Sequence, residues 1–356
     1  MYRQPGTQIV GSSRSGAHTI GGRALLRWCR ARADHVKNKH VKNHAMSVAC
    51  AATLKAHKGA VNAAVFNADG GYCMTGGDDR RVLLWNPWRE TETAHVPIKA
   101  YEAHNQRVLD LAISSDNCSF ASCGGDRTVF VWDVASGLVT RRLQGHEQRV
   151  NCVRYAADCA VLVTASYDKT VRCWDMRSKN AAPIQVLSGA ADSVGSLAVS
   201  AHEIIAGSID GHVLTFDLRN GNVARDSLGP PIGYVALSSD QNCVLASTLD
   251  STLRLLDKAS GQVLCEYRGH SNTSFKLGCC LSNDDSKVLS GSEHGHLHAW
   301  DLVEGKQVLR KLCHSGPLVA LSCHPKSSAV LTASHDGKLP FMHAWVEPLF
   351  LPALSC

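Results

Sequence analysis

The chain has 356 residues and a mass of 38.3 kDa, room for one large all-β domain or two ordinary ones. Hydrophobic residues make up 44%, charged residues only 19%, and there are 29 glycines, a mix that suits short strands and turns and excludes coiled coil or wholesale disorder. No run of 18 apolar residues occurs, which excludes a membrane-spanning helix.

The net charge of +6 divides unevenly. Residues 1–50 hold nine Lys/Arg and one acid, Asp34, while the rest holds 28 Lys/Arg and 30 acids. The body is near neutral, which argues against a nucleic-acid field over the whole molecule. The start, Met1-Tyr2-Arg3-Gln4-Pro5, lacks the apolar stretch of a signal peptide, so the 15 cysteines are expected to stay reduced. No C-x-x-C occurs. Cys152, Cys173 and Cys243 lie inside apolar runs and read as small core residues.

In chain order, residues 1–46 come first and read as a basic, unstructured extension. Their Arg, Ser and Gly content is shared with mitochondrial presequences. Met46-Ser47 directly ahead of an apolar stretch favours a plain basic tail or a start placed too early, and disfavours mitochondrial targeting by residues 1–45. Residues 47–54, Ser47 to Leu54, read as a strand.

Repeats follow over residues 47–346. Val129-Phe130-Val131-Trp132-Asp133 returns as Val171-Arg172-Cys173-Trp174-Asp175 and as Leu297-His298-Ala299-Trp300-Asp301. Weaker copies end at Asn86, Asp217 and Asp257, and a last one is assigned to Trp345. His57, His104 and His146 each stand 28 residues ahead of Trp85, Trp132 and Trp174. His270 precedes Trp300 by 30 residues and His314 precedes Trp345 by 31. These motifs resemble the WD-repeat family over nearly the whole repeat region. The resemblance implies an all-β, seven-bladed propeller of four-stranded blades, with residues 47–54 closing the last blade and 347–356 left as a tail.

The resemblance also implies a buried polar tetrad in each intact blade: His57, Thr75, Asp79 and Trp85; His104, Ser122, Asp126 and Trp132; His146, Thr164, Asp168 and Trp174. Blades 4 and 5 carry Ala206 and Ala246 in place of Ser/Thr but keep Asp210 and Asp250. Blade 6 has His294 where Asp is expected. Blade 7 reads as holding three extra residues, Pro340-Phe341-Met342, between Asp336 and Trp345. The hydrophobic residues Val82, Val129, Val171, Val213, Leu253 and Leu297 should pack between blades.

No catalytic residue, metal site or cofactor is expected. The His/Ser/Asp trio recurs blade by blade, as a structural lock does, and no G-x-S-x-G elbow or phosphate-binding glycine loop occurs. His294, His296 and His298 alternate and could share one strand side, but tetrad and polar-face positions account for them better than metal does. The chain should work by its surfaces, without a small-molecule substrate or a membrane. In such folds the residues leading each inner strand line the channel mouth; here they are Ala60, Arg107, Arg149, Ser193, Pro231, Ser274 and Pro317. The residue after the tetrad Asp is Arg80, Arg127, Lys169, Gly211, Ser251 or Gly295. Both series are basic in blades 1–3. Arg80, Arg107, Arg127, Arg149 and Lys169 are therefore the expected docking residues for an acidic or phosphorylated protein segment. Direct RNA contact is not expected, since no aromatic residues interleave these positions to stack bases.

Phe66 to Cys73, Leu249 to Lys258, Cys279 to Ser282 and Trp300 to Gly305 look like the mitogen-activated protein kinase organizers within the family. That likeness implies a scaffold for kinase-cascade components and spliceosomal proteins, in cytoplasm and nucleus. The alternative is a substrate receptor of a cullin–RING ubiquitin ligase, since Trp174-Asp175-Met176-Arg177 and Phe216-Asp217-Leu218-Arg219 resemble the WDxR adaptor box.

Overall fold

The computed structural model describes residues 12–13, 48–54, 56–89, 96–156 and 158–344. Within them each repeat is an antiparallel meander. Blade 2 is typical, with strands Val108–Ile113, Ser119–Gly124, Thr128–Asp133 and Val139–Gln144. Its second strand is Ser-Phe-Ala-Ser-Cys-Gly, nearly all buried, because both faces of a blade are covered by neighbouring blades. Its outermost strand alternates exposed and covered residues because its edge meets solvent. The innermost strands of successive blades pack against one another around the axis, and that of the last blade, Leu318–Cys323, packs on that of the first, Val61–Phe66.

The sequence predicts seven four-stranded blades, and the structure corrects that expectation. Among the described residues six sheets have four strands. The sheet built on Val194–Val199 has five, because Ser12–Ser13 runs parallel to its outer strand Val223–Ser227 and pairs with Ala224 and Arg225. An outer strand presents free N–H and C=O groups on one side, and this one has taken an extra partner. Apart from Ser12–Ser13 and the strand Val48–Leu54, the proposed extension 1–46 and the tail 347–356 lie outside the described residues.

Val48–Leu54 is the outer strand of the last sheet, antiparallel to Leu339–Ala344, with Val48 opposite Ala344 and Leu54 opposite Leu339. A register shift falls between Cys50 and Ala52, on this strand.

The last blade also corrects the reading of its sequence. Val330 pairs with Met342, as Phe120 pairs with Trp132 in blade 2. Met342 therefore holds the register position of the anchor tryptophan, and Pro340-Phe341-Met342 is not an insertion. Pro340 is tolerated because its carbonyl, not a missing N–H, meets the rest of the blade: it accepts a bond from the Thr332 hydroxyl at 3.1 Å. Trp345 lies outside the described residues.

The core is a set of slabs between blades. Val82 packs with Val108, Leu111 and Phe130, and Val129 with Val150, Val153 and Trp174. Trp85, Trp132, Trp174 and Trp300 are essentially fully buried. Cys152, Cys173 and Cys243 are buried too, and burial pushes the Cys152 and Cys173 thiols up to about 12 and about 11.

Candidate interaction surface

The three complete tetrads share one geometry. The indole N–H of Trp85, Trp132 and Trp174 donates to the hydroxyl of Thr75, Ser122 and Thr164, at 2.9 Å in each blade. Each hydroxyl lies 2.8 Å from Nε2 of His57, His104 or His146. Since that oxygen already accepts from the indole, it donates to Nε2, which leaves Nδ1–H to donate to the carboxylate of Asp79, Asp126 or Asp168 at 2.8–2.9 Å. Burial alone would raise the Asp79 carboxyl, but His57 and the backbone N–H groups of Lys58 and Arg81 outweigh it and hold it down to about 2. Asp126 and Asp168 are lowered by the same opposition. In the last blade His314 lies 3.0 Å from Thr332 Oγ1 and 3.2 Å from Asp336, so three tetrad positions are filled without tryptophan.

Blades 5 and 6 solve the problem differently. In blade 5, Arg254 stands opposite Ala246 and reaches Thr248 Oγ1 at 2.5 Å and Asp250 Oδ2 at 2.7 Å. In blade 6 the Trp300 indole donates instead to the Arg268 carbonyl at 2.9 Å. His270 is 5% exposed, and neither ring nitrogen has a partner among the described residues. His294 sits in an exposed turn, whereas His298 is buried and stacked on Trp300, so the alternating histidines do not form one row. Among the described residues no three His, Cys, Asp or Glu side chains are grouped as a metal would require.

Arg80, Arg107, Arg127, Arg149 and Lys169 are all exposed at one end of blades 1–3. Backbone bonds bring the two series together: the Gly125 N–H donates to the Arg107 carbonyl at 3.1 Å, and the Tyr167 N–H to the Arg149 carbonyl at 3.0 Å. Gly124 permits this approach, because a Cβ there would sit 2.2 Å from the Arg107 carbonyl oxygen. Neighbouring blades are then linked side chain to loop. Arg127 donates to the Glu147 carbonyl at 3.3 Å and Lys169 to the Ala191 carbonyl at 2.8 Å. Blade 6 breaks the pattern, since the Glu293 N–H donates to Ser271 rather than to Ser274.

Two features of this surface escape sequence reasoning. Arg80, Arg127 and Lys169 adopt φ of 66°, 62° and 69°, the left-handed region, where blades 4, 6 and 7 place Gly211, Gly295 and Gly337. A non-glycine residue there costs about 1 kcal/mol. Second, the exposed Tyr167 lies under the Arg149 guanidinium, 4.6 Å from ring centre to carbon. The expectation that no aromatic residue interleaves the basic positions is thus corrected. The ring faces the cation and holds it in place. Glu147 and Asp192 stand on the same loops, so the surface offers placed cations rather than a uniform positive field.

Below this face a central cavity of about 310 Å³ is crossed by bonds that join adjacent blades and blades that are not neighbours. Arg154 of blade 3 binds Asp110 of blade 2 at 2.6 Å and the Tyr234 hydroxyl of blade 5 at 3.1 Å. Lys276 of blade 6 donates to the Asn151 carbonyl of blade 3 at 2.9 Å. At the opposite end, Arg177 and Arg219 of the WDxR-like stretches are exposed, each near a carboxylate, Asp158 or Asp217, at 3.4 Å.

Comparison with known proteins agrees with this architecture. The WD repeat domain-containing protein 83 of Rattus norvegicus is 48% identical over 281 residues, which is 79% of this chain and 88% of that protein. The chain belongs to the WD-repeat β-propeller family. A family relative from Danio rerio, of the same name, is 47% identical over 81% of this chain and 89% of its own length. The Dictyostelium discoideum homolog is 31% identical over 82% and 97%. The family description "Nucleolar protein 10-like, N-terminal domain" matches residues 78–286, and "WD domain, G-beta repeat" matches residues 48–86. Those WD-repeat matches carry the fold; the basic surface rests on this chain's own residues.

Proposed function

We propose that this WD-repeat protein is a non-catalytic scaffold that assembles multiprotein complexes through the basic end of blades 1–3. The observation that carries the reading is the left-handed backbone at Arg80, Arg127 and Lys169. Strain at a position where glycine would serve better is maintained where the side chain is needed. Arg107 and Arg149 flank these residues, and guanidinium groups grip carboxylate or phosphate in a bidentate manner. The partner is an acidic or phosphorylated protein segment. The resemblance to mitogen-activated protein kinase organizers supplies the candidates, kinase-cascade components and spliceosomal proteins, met in cytoplasm and nucleus.

The test is affinity purification with mass spectrometry, comparing wild type with the double variant Arg107→Glu/Arg149→Glu. Neither residue belongs to a tetrad, so the fold should persist. Removing each charge-assisted hydrogen bond to the partner should weaken binding by about 1.5–3 kcal/mol, enough to deplete the partners. Lys306→Glu, on an exposed turn at the opposite end, should capture them normally. Equal recovery with the double variant would overturn the docking site. Partners that vanish on ribonuclease treatment would show that Tyr167 and its neighbours hold RNA instead. A ubiquitin-ligase adaptor in the catch, absent after changing Arg177 and Arg219, would favour the receptor alternative.

A further inference from the structure

Cys280 and Cys323 stand on the innermost strands of blades 6 and 7, Cys279–Leu281 and Leu318–Cys323. Their sulfur atoms are 2.6 Å apart. The two strands pack directly on each other, and both side chains lie against the same interblade slab, with Leu289, Leu318, Leu321 and Val330. With the sulfurs already in contact, closing them to about 2.05 Å would form a bond between the two strands. Deep thiols such as Cys73, Cys123 and Cys152 have no exposed surface, whereas Cys280 and Cys323 are both partly open. A narrow cleft lined by Ser282, Asn283 and Ser327 reaches Cys323 from the surface.

We propose that Cys280 and Cys323 form a reversible disulfide that fastens blade 6 to blade 7 when a peroxide is present. One thiolate attacks a peroxide oxygen, giving a sulfenic acid and releasing the other oxygen as water. The second thiolate attacks the sulfenic sulfur, expelling hydroxide, which is released as a second water on protonation. Two electrons pass from the sulfur pair to the peroxide, and a dithiol reductant returns them. Burial and the neighbouring Cys323 sulfur hold the Cys280 thiol well above its ordinary value, so the reaction should be slow at neutral pH and faster in alkali. The cross-link would span 43 residues and join two adjacent blades of the ring.

The experiment uses the full chain, treated with hydrogen peroxide and digested with trypsin without reduction. A linked pair of peptides spanning residues 277–287 and 312–326 is expected, and dithiothreitol should separate them. Each peptide holds a second cysteine, Cys279 or Cys313. The link should therefore disappear in Cys280→Ser and in Cys323→Ser but survive in Cys279→Ser. Oxidation should raise the thermal midpoint by about 5 °C in wild type and leave Cys323→Ser unmoved. A link that persists in Cys280→Ser would overturn the assignment, as would peroxide carrying the thiols to sulfinic acids with no linked peptides.

Discussion

Blades 2 and 6 have the same strand plan and opposite polar interiors. In blade 2, His104 sits between Ser122 and Asp126 with both ring nitrogens bonded. In blade 6, His270 is equally buried and bonded to nothing among the described residues. The difference begins with two residues. His270 precedes its tryptophan by 30 positions instead of 28, the Trp300 indole donates to Arg268 rather than to Ser290, and the carboxylate position holds His294. A blade therefore keeps its fold through strand pairing and packing without a tetrad, which adds register and rigidity where it is complete.

The comparison can be broken from either side. Asp126→Ala should cost the largest amount, about 2–4 kcal/mol in a denaturant titration, because it strands the His104 donor in a buried network. A loss near zero would mean that the tetrad is ornamental even where complete.

Acid should separate the two kinds of blade. Burial holds His270 and His298 down to about 4 from 6.5. Between those values the unfolded chain takes up protons that the folded blade refuses, so stability should fall as pH drops from about 6.5 to 4. Asp79, held at about 2, contributes stability that is intact above about pH 4 and lost towards pH 2. Thermal midpoints measured across pH should show these two windows, and His270→Leu should shrink only the upper one.

Asp250→Ala should cost about 1 kcal/mol, since Arg254 keeps a second carboxylate, Glu266, at 3.3 Å. At neutral pH, His270→Leu should raise stability by about 1 kcal/mol by removing an unpartnered buried group, whereas His104→Leu should lower it. Smallest of all, Arg127→Gly should stabilise the fold by roughly 0.5 kcal/mol by relieving the left-handed backbone, yet weaken partner capture. A variant that loses stability as well would show that Arg127 is there for the fold.

Much of this was legible in the spacing. The interval of 28 residues from His to Trp marks blades 1–3, and the same interval from His314 lands on Met342. A count anchored on tryptophan lands on Trp345 instead and implies an insertion that the pairing of Val330 with Met342 does not show. Arg254 was illegible because it acts across a strand pair, opposite Ala246, and not at a fixed distance along the chain. The ties of Arg154 to Tyr234 and of Lys276 to Asn151 join residues 80 and 125 positions apart, and no local pattern announces them. Tyr167 was missed because it belongs to neither series, although it lies one residue ahead of Asp168.

The pairing of Val48 with Ala344 has a consequence for the newborn chain. The ring cannot close while the ribosome is still making blade 7. The strand Val48–Leu54 emerges early and has to wait, unpaired and rich in small apolar residues, for nearly 300 further residues of synthesis. Closing so long a loop is slow, and an idle strand of this kind is a template for the wrong neighbour. The interval between its emergence and its pairing is when mispairing of this strand is favoured most.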